Sequence, residues 1–478
     1  MTTTADSGPG SLREALVFAN ANAGPDVISF DIDASVDPGC DPGTGVCTLQ
    51  AVPPMPGFNA ELIDGTTQPG ASCASWPPQL KIVFPNTWRP RVTGDNSAIR
   101  GLVLFALDVR ANNTEVTCNF IGTDATGTVV AQTGGGLVVG GVFGASGNVI
   151  GGTAATDRNL ISGNNTWGLE LISGGTRVQG NFIGTDVTGQ SALPNRLSGI
   201  RVSPGNGGLV GTNFIGGTVG TTPGGACTGA CNVISGNDAE GIRINNIVGA
   251  EVFTSIEGNA IGTDVAGTGA LGNALAGIRI EDDGNSIGGI EPGAHNTIAY
   301  NGASGVAVVS GGFADVAGTG NWIGGNAMFS NGGLGIDLEA DGVTGNDPDD
   351  VDEGANNLQN FPEIVSVVGN NATMLSITFS VPSATLNSAY PFTIEFFLAD
   401  ADGEEGRTHL GLDDYPATEA GQQVTAVFMP ERAVEDGDLV VATATDAVGN
   451  TSEFSAAVAA IDRADPDLVF ADGFELQP

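Results

Sequence analysis

Residues 159–171 read NLISGNNTWGLEL, an Asn-led strand followed nine residues later by a Gly-led one, with no helix between them. The same pair returns as NVISG and GIRI from Asn232, NTIAY and GVAV from Asn296, and NAMFS and GIDL from Asn326. In NFIGT at Asn181 and NAIGT at Asn259 the interval doubles to eighteen residues. With NFIGT at Asn119 and GLVV at Gly136, seven Asn-led and seven Gly-led strands alternate without a miss. A unit whose apolar face is two or three residues wide cannot bury itself, so the units must stack.

Parallel strands about 4.8 Å apart, with alternate side chains inward, make a parallel β-helix. Its predicted inward rows are Leu169, Ile200, Ile242, Ile278, Val306, Ile336 and Leu171, Val202, Ile244, Ile280, Val308, Leu338. Asn159, Asn181, Asn232, Asn259 and Asn296 are expected to lie over one another in a turn, where Asn tolerates the left-handed conformation and its amide can bond the next rung. The GTD tripeptides at Asp124, Asp186 and Asp264 fall on every second rung and read as turn chemistry. At the N-terminus, SLRE sets Ser11 and Glu14 as a capping box before a short amphipathic helix, which would plug the bare end of the solenoid.

Glycine supplies 75 of 478 residues without a three-residue period, and 41% of the chain is hydrophobic, which excludes both collagen and an acidic disordered tail. A formal net charge of -39 and a single lysine, Lys81, exclude nucleic acid as a partner, because phosphate neutralisation needs clustered cations. No apolar run approaches a membrane span, so the chain is not expected to cross a bilayer. Six cysteines in loop sequence without histidine neighbours suit disulfides, with Cys40 to Cys47 and Cys227 to Cys231 as short staples and Cys73 to Cys118 as a third bridge. That implies an extracellular or cell-surface protein, whose secretory leader is absent from this chain or replaced by an initiator Met.

From about Leu358 the pattern changes to alternating strands such as MLSITFSV, PFTIEFFLA and DLVVATATD, the signature of a small antiparallel sandwich. The expected organisation is an N-terminal cap (1–27), a parallel β-helix (28–345), an acidic linker (346–358), an Ig-like β-sandwich (359–464) and a C-terminal tail (465–478).

SLREALVFANANAG (11–24), IDGTTQPG (63–70), NLISGNN (159–165), GNFIGTDVTG (180–189) and NNLQNFP (356–362) resemble secreted bacterial right-handed parallel β-helix repeat proteins of the pectate-lyase-like superfamily. VATATDAVGNTSEFS resembles bacterial Ig-like or fibronectin-like modules. The resemblance covers most of the chain and implies an all-β fold. It does not imply one activity, since that superfamily holds lyases, hydrolases, esterases, epimerases and adhesins.

Outward positions on the Gly-led strands read Val138, Glu170, Arg201, Arg243, Arg279, Ala307 and Asp337. Like charges on neighbouring strands cost up to ~1 kcal/mol. Three stacked arginines therefore need either neighbouring acids (Glu170, Glu240, Glu281, Asp282, Asp283) or an anionic ligand such as a uronate or sulfated glycan. Trp167, one residue before a Gly-led strand, offers a stacking face for a sugar or a cover for the core edge. The resemblance implies an arginine as base for lyase chemistry, usually with calcium, and Arg243 is the candidate. Asp282 and Asp283 are the candidates for hydrolysis, with His295 further along in AHNT rather than in the superfamily's Gly-His-Gly. Asp347, Asp349, Asp350, Asp352 and Glu353, in DPDDVDEG, suit calcium as well as a solvated linker. The leading expectation is non-catalytic binding of a polysaccharide or cell-surface glycan, or adhesion; the alternative is a polysaccharide lyase or glycoside hydrolase.

Overall fold

The computed structural model describes residues 1–462 apart from 23, 25, 60, 132–133, 141–143, 204–210, 223, 246–251, 311–317 and 371–373. The tail from residue 465 lies outside them.

Three parallel sheets form the body of the molecule. The first has ten strands, from Asp26–Ser29 to Trp322–Gly324; the second has ten, from Cys47–Thr48 to Ala327–Phe329; the third has nine, from Arg91–Val92 to Ile336–Leu338. From Ala98 onward the chain visits the sheets in turn, one short strand each, so every coil adds one rung to all three. This is a parallel β-helix. Both predicted inward rows stand in register on the third sheet, Leu169 on Ile200 on Ile242 on Ile278 on Val306 on Ile336, and every member is buried.

The Asn-led positions form a continuous ladder. The side-chain oxygen of each next residue accepts both the backbone N–H and the side-chain amide of the one before, from Asn119 through Asn159, Asn181, Asn232, Asn259 and Asn296 to Asn326. A second, unpredicted ladder runs through Asn164, Asn195, Asn237, Asn273, Asn301 and Asn331. These amides satisfy buried backbone groups at the corners, where the strands end.

The GTD loops close as small hairpins, Thr123 facing Val130, Thr185 facing Ala192 and Thr263 facing Ala270. Asp186 shows why the tripeptide recurs: its Oδ1 accepts the Thr188 hydroxyl at 2.7 Å and the Thr188 N–H at 3.1 Å. The hairpins bond one another directly, Val187 N–H to the Gly127 carbonyl and Val265 N–H to that of Gly189. With Trp76, they cover the outer face of the second sheet, burying Phe120, Leu160, Phe182 and Val233. All three expected disulfides are present, and Cys73–Cys118 ties this layer to the solenoid.

Both ends of the solenoid are closed. The helix Leu12–Ala21 starts at Ser11, whose side chain accepts the Glu14 N–H, while the Glu14 carboxylate reaches back to the Gly10 N–H rather than to that of Ser11. Leu12, Leu16 and Ala19 are buried against the first coils, whereas Phe18 is exposed.

The C-terminal domain closes the other end. Its seven strands, from Glu363–Asn370 to Val458–Asp462, form two sheets joined by the last strand, which pairs antiparallel with Leu439–Thr445 and parallel with Glu363–Asn370. The sandwich expected to be antiparallel thus contains one parallel pairing, because its last strand runs in the direction of its first. Phe397, Val441 and Phe454 extend the solenoid core beyond its final rung. Polar side chains of this domain take the N–H groups that a further coil would have paired: Glu395 that of Gly325 (2.7 Å), Glu405 that of Asn331 (2.9 Å), Glu453 that of Leu338 (2.9 Å) and Thr451 that of Ile323 (2.9 Å). Glu405 also accepts the side-chain amide of Asn331 and so terminates the second asparagine ladder. Among the described residues no helix is long and apolar enough to cross a membrane.

Candidate functional site

The outward column of the third sheet is longer than the repeats alone indicated. It runs Arg91, Asp108, Val138, Glu170, Arg201, Arg243, Arg279, Ala307, Asp337, each residue paired with the next across parallel strands. At its N-terminal end three guanidiniums converge on one buried carboxylate: Arg89 lies 2.7 Å from Asp108, Arg110 3.4 Å and Arg91 3.6 Å. Sequence reading missed this cluster because those arginines precede the regular repeats; the outward position of Asp108 between Leu107 and Val109 was the available signal.

Further along, Arg201 donates to Glu170 at 3.0 Å and to the Asn245 side chain at 3.1 Å, and its guanidinium sits 4.3 Å over the Trp167 ring. One face of Trp167 is therefore taken by the protein's own arginine. Arg243 and Arg279 share Glu281, at 3.0 and 2.7 Å. Burial would raise the Glu281 carboxyl, yet the bonds from Arg279 and Arg243 hold it below its ordinary value. The stacked arginines are thus flanked by acids, and among the described residues six guanidiniums form ion pairs with three carboxylates, Asp108, Glu170 and Glu281. Arg91 is 62% exposed.

Other candidates are engaged elsewhere. Glu240 is buried and accepts the Ser198 hydroxyl. Asp282 is buried and accepts the Asp283 N–H, while Asp283 accepts the Thr319 N–H at 2.6 Å. His295 packs edge-on against His409, with ring centroids 6.2 Å apart, and both line a cleft between the two domains. His409, which has no partner visible in sequence, stands between Glu431 (3.2 Å) and Glu395 (3.5 Å).

In the acidic segment, Asp347, Asp350 and Asp352 bring carboxylate oxygens within 4.8 Å of one another, a group that does not include Asp349 or Glu353. Asp350 is buried and accepts the Asn360 N–H, the Gln359 amide and the hydroxyls of Ser383 and Ser388. Burial, then the neighbouring carboxylates, pushes Asp352 above its ordinary value, and its Oδ1 is buried without a hydrogen-bond partner.

No family model, curated protein or solved structure matches the chain.

Proposed function

We propose that this is a secreted or surface-associated β-helix protein, of the pectate-lyase-like superfamily its motifs resemble, that binds acidic polysaccharide along the arginine ridge without cleaving it. The observation that carries the reading is the gathering of six of 14 arginines on one face of one sheet in a chain of net charge -39. Guanidiniums already part-paired and held in a row suit a repeating carboxylate or sulfate better than a single ion, and Arg91, the most exposed of the ion-paired arginines, has an edge free for a bidentate contact. The three disulfides suit an oxidising compartment.

A general acid needs a raised pKa near the scissile bond. On the ridge Glu281 is shifted the opposite way, and Asp282 and Asp283 spend oxygens on backbone N–H groups. The native chain should be retained on a polygalacturonate matrix at low salt, released as salt rises, and pass through neutral dextran. Arg91→Gln with Arg243→Gln should elute at markedly lower salt while keeping the native circular dichroism spectrum. Unaltered retention would remove the ridge from the binding surface, and shortened polymer or unsaturated ends would replace this reading by a hydrolase or a lyase.

Calcium belongs to the proposal as a structural ion. Asp347, Asp350 and Asp352 fit a hard cation in that like charges crowd together and the orphan Asp352 Oδ1 has a place to bind. Calcium in millimolar excess is expected to raise the thermal midpoint of the native chain and leave that of Asp352→Asn unmoved. Equal midpoints with calcium and with chelator in the native chain would assign the cluster to hydrogen bonding alone.

A further inference from the structure

The chain contains only two histidines, and the fold brings them face to edge although 114 positions separate His295 from His409. They meet in a cleft of about 920 Å³ between the last coils of the second sheet and the C-terminal domain. Clefts at domain boundaries of this size are where small ligands are held. The solenoid wall contributes Tyr300 and Phe329, ring edge to ring face at 5.6 Å. The opposite wall contributes Arg407, whose guanidinium lies 5.2 Å from the Phe329 ring, and Arg432. These are the only two cations of the C-terminal domain among the described residues, in a domain rich in Asp and Glu, and both line the cleft.

The polar groups are fixed from behind. His409 is only 7% exposed; its Nδ1 meets Glu431, while its Nε2 has no hydrogen bond although Glu395 lies 3.5 Å away. Both imidazoles are held below their ordinary pKa by burial, and the proximity of His409 lowers His295 further. With His409 Nδ1 on Glu431 and its Nε2 buried, and with His295 bonded to the Ile290 backbone, the two rings form a fixed back wall for the cleft rather than its principal polar contacts.

We infer that this interdomain cleft is a binding site for a short acidic saccharide, its ring against Tyr300 and Phe329 and its carboxylate on Arg407 and Arg432. Aromatic walls without an anion partner would suit a neutral sugar, and arginines without rings would suit any small anion; the juxtaposition selects a ligand with both a sugar ring and a carboxylate. The site shares no residue with the arginine ridge, and it stands or falls separately from it.

The two histidines make the test direct, since a proton NMR spectrum of the full chain contains only two imidazole Cε1–H resonances, both from the cleft. Digalacturonate is expected to shift both in a saturable way, while galactobiose and acetate at equal concentration leave them in place. Arg407→Ala with Arg432→Ala should reduce affinity for digalacturonate at least tenfold with the two resonances otherwise at their native positions, and Arg243→Gln should leave it intact. Resonances indifferent to digalacturonate would overturn the assignment, as would a response to acetate or galactobiose equal to that for digalacturonate, or undiminished binding by the arginine variant.

Discussion

Replacing Asn232 by leucine is expected to destabilise the solenoid by about 2–6 kcal/mol, since at least two buried donors lose their acceptor at roughly 1–3 kcal/mol each. The Asn232 side-chain oxygen accepts from the Asn181 N–H at 2.9 Å and from the Asn181 amide at 3.0 Å. Its amide donates to the Val178 carbonyl at 2.8 Å and to Asn259 at 2.9 Å. Leucine has nearly the same volume, so the loss is one of pairing rather than packing. The orphaned Asn181 then lacks the oxygen that fixed its own position, and the disturbance passes to the rungs on either side. Asn387→Leu, on an exposed side chain that bonds a single carbonyl, should cost well under 1 kcal/mol. Urea melts followed by circular dichroism compare the two; equal midpoints would show that water repairs the ladder and that the asparagines are interchangeable with apolar residues.

The second large effect concerns pH. Burial pushes Glu405 up to about 8, and Glu395 and Glu453 to about 7, where these side chains cap the last coil. The folded protein therefore retains protons that the unfolded chain releases above about pH 4.5. Stability from these groups is complete below that value and is lost as pH rises through 7 to 8, by roughly 3–5 kcal/mol for Glu405. His295, His409 and the Met1 amino group, all lowered by burial, work in the opposite sense, favouring the folded state as pH rises. Comparison with Glu405→Gln isolates the carboxylate. At pH 5.5 the two chains should unfold at similar temperatures, and at pH 8.5 the Gln chain should be the more stable. A native chain that exceeds Glu405→Gln at pH 8.5 would mean that the ionised carboxylate, bonded to Asn331, is the favoured form.

The inward rows of the third sheet were legible because strand periodicity is two. Once Leu169 and Leu171 face inward, the same offset puts Ile242 and Ile244 in the core, and a slip of one residue would place Arg243 there instead. The first asparagine ladder was legible because Asn leads its strand in every coil. The second was not: Asn164, Asn237, Asn301 and Asn331 follow their leading Asn by five residues, but Asn195 and Asn273 follow by fourteen, the GTD hairpin standing between. Of the acidic segment, composition indicated a cluster, whereas backbone direction chose three oxygens of five side chains.

By itself, then, the sequence determined what is local and repeated: rung length, the inward and outward faces, the corner asparagines, the helix at one end and a change of fold near residue 358. These follow from short-range periodicity, which each coil states again. The tertiary structure alone decided that the second domain is the lid of the first, that Glu395, Glu405 and Glu453 replace the missing coil, and that His295, Tyr300 and Phe329 share a cleft with Arg407 and Arg432. Those pairings join residues 70 to 137 positions apart that occur once and share no period, so only the closing of the solenoid on the sandwich brings them together.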